Sequence, residues 1–596
     1  MRNAKRFFGK NVFATAISIL LLFSLACGDD AVAPAPEVKE VIKEVEVIKE
    51  VEVVKELTAP LANPAYVGEV KPAWVDRGKR GGFINFVGRG NAGFWDTHYS
   101  SSLSASLQFA GPQFSQLVMY NPVNPSEIIG DLAESWSVSD DGKTYTFRLH
   151  DAQWSDGEPV TADDIKFTLD RIVEPGAKRG RVTALRLTYE QGSATVVDDK
   201  TLVVPLRYAS ATFLVHLATD YHKMYARHIV EGVSQEDLNC CQENNLGSGP
   251  WIFKEQVRQE SVTFERNDNY FKTGRPFFDG YKMFVIPDVA RAISAMQVGQ
   301  SHGTFYPAVS TYKPVDMVQL EKDTEGRMRA LFLENAQYGQ WLFNTTMKPF
   351  DDPRVRRAIY LAMDRDEVGE RVYRGFYSPG TFFQPVSKVE NLEELKNKPG
   401  FRHPKDDDYA EAKRLLAEAG YPDGFKINVN TAKTAPALEV IAPQLREHLN
   451  IDITMVPSDN TGWYTDLTKG TYPASFGNGL GLTLGDPSDV LANLIVKDVV
   501  RNPHNWEDSE MTPLIEAQDR EMDPVKRMEI FREIADIFHK GESHYLPVVW
   551  FHAGGALDYR IKNYHLPATI QLIHYWDHAW WDPDAELPEV GTGYKP

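Results

Sequence analysis

Cysteine is almost missing from this chain: 596 residues carry three, Cys27, Cys240 and Cys241. That excludes a fold stapled by a disulfide framework. A thiolate zinc site is excluded too, since it needs more sulfur or a convincing histidine partner. Basic residues are outnumbered, 64 Lys and Arg against 83 Asp and Glu, for a formal charge of −19. A surface of that sign repels a phosphate backbone, so nucleic acid is not an expected partner. Long apolar runs are also lacking. Residues 12–25 are too short and badly flanked for an ordinary membrane span, and no later segment is long enough. No GxSxG, Walker, HExxH or cysteine–histidine grouping occurs, so the sequence offers no catalytic constellation and no cofactor.

What stands at the N-terminus is a leader. Arg2, Lys5, Arg6 and Lys10 precede the short apolar run, and the small residue Ala26 closes it. Ser24-Leu25-Ala26-Cys27 resembles a bacterial lipobox, in which cleavage leaves Cys27 as the diacylated first residue. An ordinary secretory peptide beside an incidental cysteine is the alternative. Losing the four basic residues with the leader takes the charge from −19 to −23. Residues 31–36 are Ala/Pro-rich and read as an extended spacer. Residues 37–57 then repeat EVIKEV from Glu40 and Glu46, with EVVKEL from Glu52. That period fits neither a helical stripe nor a coiled-coil seam, so a charged stalk is expected, with short oligomerising helices as the alternative. If helical, the repeat would span about 30 Å. Cys240 and Cys241 are adjacent; a vicinal disulfide, pairing with another chain and the reduced state are all open.

From residue 81 the patterning is mixed α/β. Strands are predicted at 83–87, 202–206 and 284–287, and helices at 353–364 and 408–420. A strand at 425–430, a helix at 436–449 and a strand at 451–456 make a βαβ unit, which implies parallel pairing. A helix from Asp523-Pro524 to Lys540 precedes a final buried strand at 545–551.

Residues 130–171 carry the most information. Ser135-Trp136-Ser137-Val138-Ser139 alternates apolar and polar, Asp140-Asp141-Gly142 is a tight turn, and residues 144–149 alternate again, which predicts a hairpin. Thr161 is a good N-cap, with Asp163 and Asp164 opposing the dipole of the helix that follows. This string closely resembles the signature of the family 5 extracellular solute-binding proteins, the dipeptide- and oligopeptide-binding type of ABC-importer receptor. The resemblance continues in order through Gly247-Ser248-Gly249-Pro250-Trp251, Phe264-Glu265-Arg266-Asn267, Ile286-Pro287-Asp288, Arg354-Val355-Arg356, Ala419-Gly420-Tyr421-Pro422 and Asp486-Pro487.

The resemblance implies an α/β fold of the type II periplasmic-binding-protein kind, with a discontinuous first lobe and an inserted subdomain. The expected divisions are a signal peptide at 1–26 and a lipid-anchored tether at 27–77. Lobe I follows at 78–121, 246–327 and 545–596, with the subdomain at 122–245 and lobe II at 328–544. Hinge strands cross between lobes, one of them expected within 331–344. The implied function is capture of a small solute outside the cytoplasm and its delivery to ABC permease subunits by a monomer tethered to the membrane. A sensory module of the same fold and an exported hydrolase are the rival readings.

Candidate site residues follow from the same alignment. Gly88-Arg89-Gly90-Asn91-Ala92-Gly93 satisfies GxGxxG, but Phe94-Trp95-Asp96-Thr97 is a poor helix start and the nearby Ser-rich run has no acid, so it reads as coincidence. In the family this segment lies near the cleft, which makes Trp95 an expected cleft wall. Tyr338, Trp341, Trp463, Tyr464 and Phe476 also fall near cleft segments, where flat rings suit sugars, aromatic solutes or apolar side chains. Peptide-binding relatives place an aspartate two residues before the glycine of Gly485-Asp486-Pro487, and it pairs with the ligand's α-amino group. Here that position is Thr483. A hydroxyl cannot neutralise a buried ammonium, a deficit of several kcal/mol. Capture of ordinary peptides by the N-terminus is therefore not expected. His574 and His578 are four apart, but the surrounding tryptophans favour packing over a metal.

Overall fold

A computed structural model describes residues 66–67, 73–88, 94–99, 107–122, 124, 127–177, 179, 181–240, 242–305, 312–432, 434–478, 486–497, 499, 501–566 and 576–587. The chain divides into two units, Met1–Ala59 and Pro60–Pro596, and every described residue falls in the second. Cys27, the 37–57 repeat, the GxGxxG residues after Gly88, Cys241, Thr483 and His574 lie outside the described residues.

Three sheets organise three separate cores. The predicted hairpin forms as Ala133–Val138 and Thr144–Leu149, at the centre of a five-stranded sheet with Tyr66–Val67, Thr201–Pro205 and Thr195–Asp198. Its alternation buries Trp136, Tyr145, Phe147 and Leu149 on one side, against Ile165, Leu169 and Ile172 of helix Ala162–Val173. That helix starts where the sequence places it. Thr161 and Asp164 form a reciprocal capping box, the Asp164 carboxylate accepting from Thr161 N at 2.9 Å. Thr161→Ala removes half of it and is expected to cost about 1 kcal/mol, measurable as a lower denaturation midpoint with an unchanged slope.

The second sheet joins Phe83–Gly88, Gly280–Val285, Ser261–Arg266 and Trp251–Val257 around a core of Phe86, Phe264, Tyr281 and Met283. Gly280–Val285 begins earlier than the predicted 284–287 and stops before Ile286-Pro287, because proline has no N–H for the ladder. The Gly-Ser-Gly-Pro-Trp motif has a steric basis here. A Cβ on Gly247 would sit 1.9 Å from Gln113 O, and one on Gly249 would sit 2.7 Å from Gln113 C. Gly249 N instead donates to Gln113 O at 2.9 Å, so two backbones meet where only glycine fits.

The third sheet has six strands, in the order Tyr377–Pro379, Tyr545–Asp558, Met328–Phe343, Ala474–Asn478, Phe425–Ala432 and Ile451–Ser458. Phe425–Ala432 pairs parallel with both its neighbours, and helix Pro436–Leu449 links it to Ile451–Ser458, so the βαβ unit is present. The helix predicted at 408–420 begins two residues earlier, with Asp406–Asp408 in the first turn of Asp406–Glu418. Asp408 is buried and accepts from Gly400 N at 2.8 Å and Arg402 Nε at 2.9 Å, which makes it an anchor for the preceding loop.

Two long strands connect the second and third cores. In Met328–Phe343, Met328, Leu333 and Ala336 pack with the second core, whereas Tyr338 to Phe343 pack with the third. Its antiparallel partner Tyr545–Asp558 does the reverse, Tyr545 to Trp550 lying in the third core and Ala553 to Leu557 in the second. The strand predicted at 545–551 is thus only the first half of a longer one. Register slips between Leu333 and Gln337 mark the changeover, where Asn335 takes a φ of 52°. The tryptophans near the C-terminus also find their place: Trp576 packs into the second core, 4.5 Å from Phe86 and 4.6 Å from Tyr564 between ring centres. Among the described residues no group of metal-ligating side chains forms, and no helix is long and apolar enough to cross a membrane.

Candidate ligand-binding site

The sheet of the third core brings most of the predicted rings together. Trp341 and Phe476 are register partners on neighbouring strands, with ring centres 5.2 Å apart. Helix Asn460–Lys469, capped by Asp459 through Gly462 N at 2.8 Å, brings Trp463 over them. Trp463 Nε1 donates to Phe476 O at 3.2 Å. Gly477 permits this approach, since a Cβ there would lie 3.2 Å from the indole. Tyr464 is edge-on to Trp463 at 4.9 Å. Tyr338 sits in the crossing strand against Trp550 at 4.5 Å. Trp95 stands apart: it is buried in the second core, edge-on to Phe253 at 5.2 Å, and contacts none of the other candidates.

These rings enclose charges that no motif announced. Arg501 is buried, and its Nη2 donates to Tyr464 Oη at 2.8 Å. Its guanidinium carbon lies 5.8 Å from the Trp463 ring centre and 5.7 Å from that of Tyr464. Burial pushes the Tyr338 hydroxyl up to about 12, against the pull of the Arg501 charge; Asp489 and Arg181 also act on it. Gln340 is fully buried, and neither end of its amide finds a partner among the described residues; the same holds for Trp341 Nε1.

Arg181 comes from the opposite side, beside helix Thr183–Thr188, and reaches Asp489 of helix Ser488–Leu494 at 3.9 Å, with both side chains buried. It also lies 5.9 Å from the Tyr221 ring centre. The first and third cores therefore meet across a seam with buried charge on each face. Next to it, Asp486 of the Asp-Pro motif takes both terminal nitrogens of Arg527 at 2.8 Å and accepts from Ser488 N at 2.9 Å. Burial works against its charge, but Arg527 outweighs that and holds the carboxyl below the usual range.

A second contact closes the seam at its edge. Asp519 accepts hydroxyl hydrogen bonds from Tyr208 at 2.7 Å, from Ser210 at 2.9 Å and from Thr212. Its own carbonyl accepts from Ala211 N at 2.8 Å, and Arg520 covers the Tyr208 ring at 5.0 Å. None of Arg181, Asp489, Arg501 or Asp519 belongs to a readable motif. Gln340 alone left a trace, an amide inside an apolar strand sequence. Cys240 is disulfide-bonded, and its two possible partners, Cys27 and Cys241, lie outside the described residues.

Separate cores joined by paired crossing strands, with a buried seam of rings and charges, define a two-lobed binding protein of the type II periplasmic-binding-protein class. Residues 127–498 match the model of the bacterial extracellular solute-binding proteins, family 5, middle region, and the chain belongs to that family. Heme-binding protein A of Haemophilus influenzae is 25% identical over 466 residues, 73% of this chain and 81% of that one. The fold matches the solved ABC transporter-associated periplasmic binding protein DppA of Helicobacter pylori, in complex with peptide STSA. Its TM-score is 0.71 at 21% identity, covering 85% of this chain and 99% of that one. AgaA from A. tumefaciens R10, in complex with agropinic acid, gives a TM-score of 0.69 at 22% identity, covering 84% and 99%.

Proposed function

We propose that this chain is an extracytoplasmic solute-binding lipoprotein that captures a small solute between two lobes and delivers it to the permease of an ABC importer. The observation that carries the reading is the seam where Arg181 and Tyr221 meet Asp489, Arg501 and Tyr338. Lobe I comprises 78–121, 246–327 and the C-terminal stretch, the subdomain 122–245, and lobe II 328–544. The three cores support this division in outline, with Leu117 and Val118 packing in the core of the subdomain and Tyr221, Tyr225, Val230 and Leu238 in that of lobe I. The change of core within Tyr545–Asp558 supports a last boundary near 551 rather than 545. Strands Met328–Phe343 and Tyr545–Asp558 serve as the hinge. Cys27 carries the lipid, residues 27–77 hold the body off the membrane, and the receptor works as a monomer.

The named relatives bind haem, a peptide and agropinic acid. That spread supports a small solute and leaves its identity to the side chains of this seam. Binding acts by favouring the closed population, to the extent that the solute contacts closed and open states differently. No covalent step is asked of the receptor. A thermal-shift screen over peptides, oligosaccharides, opines and nickel chelates finds the solute class, because a ligand selective for the native state raises the melting point by mass action. Small-angle scattering then tests the mechanism. The radius of gyration is expected to fall on saturation with a hit, and unchanged dimensions would remove closure from the account.

A further inference from the structure

The charges in the seam do not balance. Arg181 has Asp489, and Arg527 has Asp486. Arg501 is buried and has no carboxylate partner among the described residues, and its Nε and Nη1 find no acceptor there. A buried guanidinium with open donors is costly, because water has been withdrawn and nothing replaces it. Its ring neighbours Trp463 and Tyr464 offer only the weak attraction of their faces, and Tyr464 Oη takes a single hydrogen bond. His544 adds no charge, since burial pushes its ring down to about 3.

Resting on the receptor reading above, we propose that the solute is an organic anion: a carboxylate set against Arg501, carrying a flat body on the side of the half-buried Tyr464 ring and bearing no free ammonium. The flat body follows from the Tyr464 ring beside the guanidinium, 5.7 Å from its carbon to the ring centre. Charge follows from a guanidinium with no carboxylate partner among the described residues. The choice of carboxylate follows from space, because the cavity that Arg501 lines with Asn344, Ser475 and His544 holds only about 10 Å³. That is room for roughly one water-sized group, which suits the smaller, planar carboxylate better than a tetrahedral phosphoryl head. A free ammonium is disfavoured because Asp489, the buried acid of the seam, already faces Arg181 across it.

The test uses the purified full-length protein and matched probes in titration calorimetry: indole-3-acetate against indole-3-acetamide, 3-phenylpropionate against its amide, and N-acetyltryptophan against tryptophan. The expected result is that each acid binds about a hundredfold tighter than its amide, and the acetylated amino acid tighter than the free one. Arg501→Met is expected to erase the acid's advantage and leave the amide unchanged. Should that variant fail to fold, the wild-type acid-to-amide ratio decides alone. Equal binding of acid and amide, or preference for free tryptophan, overturns the anionic solute and leaves the receptor intact. Binding of a neutral disaccharide with none of the acids does the same. If no probe binds, the proposal for flat carboxylates falls, and the receptor reading is judged separately by the scattering of whatever ligand the wider screen supplies.

Discussion

Asp519→Ala lowers hydrogen-exchange protection of the Ala211 amide about a hundredfold while leaving the three cores folded. The wild-type carboxylate accepts hydroxyls from Tyr208, Ser210 and Thr212, and the last two are buried. A hydrogen bond to a charged acceptor contributes about 1.5–3 kcal/mol, and a buried hydroxyl stripped of its acceptor adds its own penalty. Ser210 and Thr212 keep each other at 3.3 Å, which limits the loss. A net weakening of about 3 kcal/mol remains, and a two-state contact then shifts by roughly two orders of magnitude. Ala211 reports this directly, since its N–H reaches the Asp519 carbonyl only while the lobes touch, and the substitution leaves that carbonyl in place. Asp519→Asn keeps one acceptor and is expected to fall between. Exchange mass spectrometry on peptides covering 208–218 and 511–520 measures the effect. Equal protection in wild type and variant would show that these hydroxyls do not hold the lobes together.

Arg171→Met is expected to destabilise the protein by about 3–5 kcal/mol, the usual consequence of stranding one member of a buried ion pair, and to reverse the pH dependence of stability near pH 4. Asp96 is fully buried and accepts from Arg171 Nη2 at 2.6 Å, Gln235 Nε2 at 2.7 Å, His98 N at 3.0 Å and Tyr225 Oη at 3.2 Å. Burial alone would raise its pKa, but Arg171 reverses this and holds the carboxyl well below the usual range. A depressed folded-state value contributes stability that is present above about pH 4 and lost as pH falls toward the folded pKa. His98 acts in the same direction. Burial first, and then the Arg171 charge, lower its pKa, so its neutral ring also favours the native state above its ordinary value.

With methionine at 171 the sign for Asp96 changes. The carboxyl stays buried without its cation, its folded pKa rises above the unfolded one, and stability falls as pH climbs past about 4. Urea titrations at pH 4 and pH 7 give the test. Wild type is expected to be more stable at pH 7, and the variant to show a flattened or inverted difference. A variant that keeps the wild-type dependence would mean that Arg171 does not set the Asp96 charge. This network ties the segment around Trp95 to helix Ala162–Val173 of the inserted subdomain.

Much of the scaffold was legible because its causes are local. The hairpin at 133–149, the Thr161 cap and the βαβ unit ending at Ser458 each rest on alternation, turn chemistry or helix ends, which act over a few residues. The Asp-Pro and Gly-Ser-Gly-Pro-Trp motifs marked the family before their physical purpose was visible. Asp486 clamps Arg527, and Gly247 and Gly249 let two backbones touch. The ring cluster was half legible. Trp341, Trp463, Tyr464 and Phe476 converge on one sheet, with Tyr338 at its crossing strand, while Trp95 belongs to another core.

The amino-acid order by itself determined the class of protein, the elements along most of the chain and the family, since these depend on patterns read within a short window. Which charges face each other was decided only in three dimensions. Arg181 and Asp489 are far apart in sequence yet form a pair across the seam, and Arg501 gains its meaning only from the Trp463 and Tyr464 rings that a distant helix brings to it. Burial converts those ordinary surface residue types into a demand for a partner, and burial is a property of the assembled lobes.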